Sequence, residues 1–122
     1  MLNLPSYQAA FLDELNSSGV GYLVVGGKAI QAHGLPRETQ DLDVFVSCST
    51  ENAARLFPLI VKRVQLLGQK LTPEALSMPK KRIALPSLEA KEVDILTSMY
   101  ALDFELASAR SIQVNVGTLS EP

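Results

Sequence analysis

Three aspartates interrupt apolar runs in this chain. Asp41 and Asp43 flank Leu42 at the head of the run that continues through Val44, Phe45 and Val46, and Asp94 stands between Val93 and Ile95. Carboxylates are poor strand formers and hard to bury. On a strand, residues two apart share a face, which places Asp41 and Asp43 about 6.5 Å apart on one side. Leu42, Val44 and Val46 then point to the other side, into a core, and Val93 and Ile95 stand in the same relation to Asp94. If the two strands are neighbours, three carboxylates converge on one patch. Two unit charges at that spacing repel by roughly 2.5 kcal/mol at an effective dielectric of about 20. Bound cations offset that repulsion. Oxygen-only ligands on an open face suit Mg²⁺ or Mn²⁺, which keep waters and take substrate phosphates as further ligands. Two such ions can clamp the attacking and leaving oxygens of a phosphoryl transfer. The competing reading makes each aspartate a solvated residue on an edge strand, which is the commoner fate of any one aspartate taken alone.

A glycine pair precedes the aspartates. Gly26 and Gly27 follow the apolar run Tyr22 to Val25 and open a short helical stretch from Lys28 to His33, closed by Gly34. Without Cβ atoms the backbone there can approach a phosphate closely, and a helix start offers free N–H groups. A plain tight turn is the more common reason for two glycines. Lys28 either reaches a phosphate from the helix start or is solvated. Arg37 and Thr39, in the loop leading to Asp41, either contact phosphate or brace the loop. His33 reads as a packing or capping group before it reads as a base. Lys80-Lys81-Arg82 is a basic cluster: a solvated strand edge, or a source of charge for a triphosphate or a nucleic-acid acceptor.

Taken together, Gly26-Gly27, thirteen further residues, Asp41-Leu42-Asp43 and a later Val93-Asp94-Ile95 resemble the signature of the DNA polymerase beta-like nucleotidyltransferase superfamily. The stretch from Gly26 to Asp43 looks most like the minimal bacterial nucleotidyltransferases, including those of toxin–antitoxin and phage-defence pairs. The resemblance covers roughly residues 21 to 96. It implies that Gly26 and Gly27 hold a nucleoside triphosphate, that Asp41 and Asp43 bind both metals, and that Asp94 completes the second metal site and helps deprotonate an acceptor hydroxyl. It further implies transfer of a nucleoside monophosphate with release of pyrophosphate. The acceptor is a protein hydroxyl (a toxin partner, for instance), an RNA end or a small molecule. Lys28 departs from the small residue many members carry there, and the helical domain of larger members has no counterpart.

The elements that must position these residues follow from pattern. Ala9, Phe11, Leu12 and Leu15 fall at helical spacing between Pro5 and Asn16. Tyr22 to Val25 suits a buried strand. Leu42 to Ser47 reads as a strand, and Ser49 or Thr50 caps a helix containing Ala53, Ala54, Leu56 and Phe57. From Pro58 to Leu71 a continued helix and a short strand compete. Thr72-Pro73-Glu74 is a helix-start signal. Arg82 to Leu85 and Glu92 to Thr97 read as two strands of a hairpin, Tyr100 to Ala109 as a helix, and Ser111 to Val116 as a strand with Ile112, Val114 and Val116 on one face. The expected fold is α/β, in the α+β sense: one domain over residues 1–122, a mixed, partly antiparallel sheet with flanking helices.

Bulk properties bound the rest. At 122 residues the chain fits one domain, and nearly half its residues are apolar. A net charge of −2 argues against a dedicated nucleic-acid sleeve. The single cysteine, Cys48, excludes an internal disulfide and fits a cytoplasmic protein. No apolar run approaches the length of a membrane span. Leu119-Ser120-Glu121-Pro122 has the composition of a helix start, which predicts either continuation of the natural chain into a helix or a homodimer covering the last strand.

Overall fold

The structure is a computed structural model that describes residues 2–32, 41–64, 71–85, 93–99, 103–111 and 116–118. The elements run β1 (Leu2–Leu4), α1 (Ser6–Ser17), β2 (Tyr22–Val25), α2 (Gly26–Ala32), β3 (Leu42–Val46), α3 (Thr50–Val64), a 3-10 helix over Pro73–Ser77, β4 (Arg82–Leu85), β5 (Val93–Leu96), α4 (Phe104–Ala109) and β6 (Val116–Thr118). Four strands form one sheet in the order β2-β3-β5-β4. The central pair β3 and β5 is parallel, and the outer strands β2 and β4 are each antiparallel to their neighbour. The mixed, partly antiparallel sheet with flanking helices is therefore present, and β4 and β5 pair as expected of a hairpin.

Alternation along the central strands decides which face meets the core. Leu42, Val44 and Val46 on β3, Val93 and Ile95 on β5 and Leu85 on β4 are buried. They meet Phe11, Leu12 and Leu15 of α1 and Ala53, Leu56 and Ile60 of α3 in one hydrophobic cluster. Apolar residues at helical spacing on both helices supply the facing surface. α3 resolves the first part of the ambiguity between Pro58 and Leu71: the helix continues through Pro58 to Val64, and residues 65–70 lie outside the described residues. Proline removes one backbone hydrogen bond there. Pro58 is exposed while Leu56 and Ile60 on the opposite side are fully buried, so packing on both sides of it outweighs the defect. Ser49 is the cap of α3, its Oγ accepting the Asn52 N–H at 3.2 Å.

Other sequence expectations are adjusted. β2 is half-buried along its length, because it lies at the edge of the sheet with a single neighbour. The helix expected from Tyr100 begins at Phe104, where the Asp103 carboxylate accepts the Leu106 N–H at 3.0 Å and sets the start. The Thr72-Pro73-Glu74 signal starts a 3-10 helix. β6 pairs in parallel with β1, and both lie against α1. Ile112, Val114 and residues 119–122 lie outside the described residues. No helix among the described residues is long and apolar enough to cross a membrane.

Candidate functional site

The site is built where three strands and one turn meet. Asp43 stands opposite Val25 on β2 and opposite Asp94 on β5. Parallel pairing in that register puts the two aspartates side by side on the face away from the core. Phe45, next along that face of β3, is covered edge-to-face by Phe104 of α4, with ring centroids 5.3 Å apart. α4 thus sits over the far end of the strands from Asp43.

Gly26 closes the corner between β2 and α2 with φ at 70°, a conformation that disfavours any side chain. Glycine is needed there for a second reason. A Cβ at Gly26 would collide with Asp43 Oδ2 and stand 3.3 Å from its Cγ. The missing Cβ at Gly26, expected to leave room for a phosphate, instead leaves room for the Asp43 carboxylate. Gly27 is buried at the start of α2. Lys28 is only 5% exposed, so the solvated reading of that residue does not hold.

The two apposed carboxylates are not equivalent. Asp94 is 2% exposed. Its Oδ2 accepts from Arg82 Nη2 at 2.8 Å, and its Oδ1 is buried with no hydrogen-bond partner. Asp43 is half-buried, and its carboxyl is pushed above the ordinary carboxylate range. Burial is the largest cause, and the Asp94 charge is next. The closeness of the Asp94 carboxyl and the Asp41 charge add to the upward push, while Arg82 opposes it.

The expected three-carboxylate patch is therefore realised as a pair with a near neighbour. Asp41 precedes β3, is half-buried and acts on Asp43 through its charge. Among the described residues, no three histidine, cysteine or acidic side chains are arranged to hold a metal ion. The pair itself suits a hard divalent cation in donor chemistry, and the orphaned Asp94 Oδ1 is an oxygen such an ion would satisfy. His33, Arg37 and Thr39 lie outside the described residues.

Two supporting roles depend on sheet pairing. Arg82 lies on the exposed edge strand as expected, and from there it pairs with Asp94. The available signal was its place on a hairpin strand two residues before the position that pairs with Asp94. Asn52, in the first turn of α3, fastens the other end of the β2–β3 ladder. Its Oδ1 accepts the Gly21 N–H at 2.6 Å, and its Nδ2 donates to the carbonyls of Gly21 at 3.0 Å and Ser47 at 2.8 Å. A single asparagine in a first helical turn carries little signal of that role. Lys80, at φ 61°, and Lys81 are exposed, and their backbone N–H groups donate to Ser98 Oγ and Thr97 Oγ1, each at 2.9 Å. Cys48 is half-buried and free.

Comparison with known proteins gives no match: no family model, no curated protein and no solved structure is similar to the chain.

Proposed function

We propose that this protein is a metal-dependent nucleotidyltransferase, moving a nucleoside monophosphate from a nucleoside triphosphate to a hydroxyl acceptor. The observation that carries the reading is the register of β3 against β5, which sets Asp43 beside Asp94 with Gly26 packed on Asp43. Residues far apart in sequence and joined by the motif resemblance meet at one corner of the sheet. Their electrostatics support the same reading. Asp43 is held in a state where its charge is disfavoured, and Asp94 keeps a buried oxygen without a partner. A carboxyl pushed up by burial and a like charge, as Asp43 is, is typical of functional sites.

In this reading Asp43 and Asp94 hold Mg²⁺ or Mn²⁺, with Asp41 as a further carboxylate whose charge reaches Asp43. A bound divalent ion there would supply charge neutralisation for phosphoryl transfer. The chain's own contribution is positional. Gly26 and Gly27 bring the start of α2 against the carboxylate pair, where the triphosphate would lie. Lys28, Arg37 and Thr39 are the further candidates for phosphate contact. The net charge of −2 favours a protein acceptor, such as a toxin partner, over an RNA end or a small molecule.

One observation favours a second reading. Arg82 already neutralises Asp94, and among the described residues no metal-ligating group of three is formed. On that view the protein is a non-catalytic antitoxin or binding module that masks a partner with the same fold.

Mn²⁺ titration in the presence of a non-hydrolysable nucleoside triphosphate separates the two. Wild type should bind the ion, and Asp43→Asn should bind it more than about tenfold more weakly, since loss of a direct ligand exceeds the usual cost of losing an outer one. Equal binding by both proteins, or none by either, leaves only the non-catalytic reading.

A further inference from the structure

Arg82 is set where it competes with a cation. It lies on the outer strand β4, where Ala84 is the residue opposite Asp94 and Arg82 is opposite Leu96. Residues two apart share a face, so Arg82 reaches Asp94 diagonally across the ladder. The two partners differ sharply in environment: the Arg82 side chain is 67% exposed and the Asp94 side chain 3%. A buried carboxylate on a central strand needs a counter-charge, and here the counter-charge comes from outside the core. The guanidinium is weakly hydrated and stays charged at every accessible pH, which suits it to wait on a carboxylate. Its field reaches past Asp94, since it also opposes the upward push on the Asp43 carboxyl.

We propose that Arg82 is an internal counter-ion for the Asp43–Asp94 pair, whose charge on Asp94 Oδ2 competes with a divalent cation held at the partnerless Asp94 Oδ1. This rests on the reading of the pair as a cation site. One carboxylate cannot serve both cations at full strength, so the arginine lowers the apparent affinity for the ion. It also stabilises the ion-free protein by shielding two carboxylates from each other. Arg82 acts here through Asp94 and is a positioning residue.

The test is a Mn²⁺ titration without nucleotide, read by the free-ion electron paramagnetic resonance signal, on wild type, Arg82→Gln and Arg82→Lys. Arg82→Gln should bind Mn²⁺ about tenfold more tightly than wild type, because the competing charge is gone. Arg82→Lys keeps a positive charge and should stay close to wild type. A side chain that served only the fold would weaken binding or leave it unchanged when replaced. Circular dichroism should show all three folded, as expected for a residue so exposed. If wild type binds and Arg82→Gln binds equally or less well, the role given to Arg82 is wrong and the cation site stands. If neither binds, the cation site falls and Arg82's role with it.

Discussion

The β2–β3 ladder carries a buried polar group near each end, and the two groups are handled in opposite ways. At the Tyr22–Val46 end, Asn52 places both halves of its amide on backbone groups of Gly21 and Ser47. At the Val25–Asp43 end, two carboxylates face each other, and one buried oxygen has no partner. The chemistry of the side chains explains the contrast. An amide carries donors and an acceptor, so strand ends alone can satisfy it. An ionised carboxylate only accepts, so a neighbouring carboxylate cannot help it. A neutral, satisfied network serves stability, whereas an apposed pair of like charges opposes it. Sequence and fold agree at the first end and conflict at the second, and such conflicts are where functional sites are expected.

Breaking the satisfied end should have the largest effect. Asn52→Ala removes three hydrogen bonds at once and takes the amide partner from the half-buried Gly21 N–H and Ser47 carbonyl, while the Gly21 carbonyl keeps the Ser47 N–H at 3.2 Å. The expected cost is about 3 kcal/mol, read as a lower midpoint in urea unfolding at an unchanged slope. A cost below about 1 kcal/mol would mean that water replaces the amide and that this end is not latched by Asn52.

Crowding the strained end should come next. Gly26→Ala combines a positive φ with a collision against Asp43, and about 2 kcal/mol of destabilisation is expected. In an Asp43→Ala background the collision disappears and only the backbone part, about 1 kcal/mol, should remain. A double-mutant cycle measures the difference. Strict additivity of the two substitutions would show that Asp43 does not occupy the space above Gly26.

The smallest effect sharpens the comparison by sign. A carboxyl whose folded pKa is raised binds its proton more tightly in the folded state than in the unfolded chain. Its charge therefore destabilises the fold above that raised value, and the penalty fades as pH falls towards and below the ordinary value of 3.8. Asp43→Asn should melt above wild type at pH 7, and the two should converge as pH falls through that window. Thermal melts across pH test this in metal-free buffer. A variant that melts below wild type at neutral pH would show that the Asp43 charge is satisfied in the folded protein. Asn52 cannot titrate, so variants at that end should differ from wild type by an amount independent of pH.

Much of the local structure could be read from residue order. Apolar spacing marked α1, Ser49 marked the start of α3, and the alternation around Asp43 and Asp94 marked two strands whose flanking apolar residues face the core. Pro58 was harder, because a proline that ends an isolated helix is tolerated where Leu56 and Ile60 anchor both sides. β1 was not foreseen, since three residues carry no usable pattern and their partner β6 lies at the other end of the chain. Asn52 and Arg82 were underread for one reason: each acts on residues brought near only by sheet pairing.

What the sequence determined alone is which side of each strand a residue faces, and where the backbone needs glycine. Alternation is local, and so is the choice of Gly26 for a turn with positive φ. What only the tertiary structure decided is the strand order and the register that sets Asp43 against Asp94. A slip of one residue would turn the apolar set outward and is excluded by burial. A slip of two residues would keep every apolar side chain on the core face while parting the two aspartates by about 6.6 Å. Hydrophobic patterning cannot separate that arrangement from the observed one.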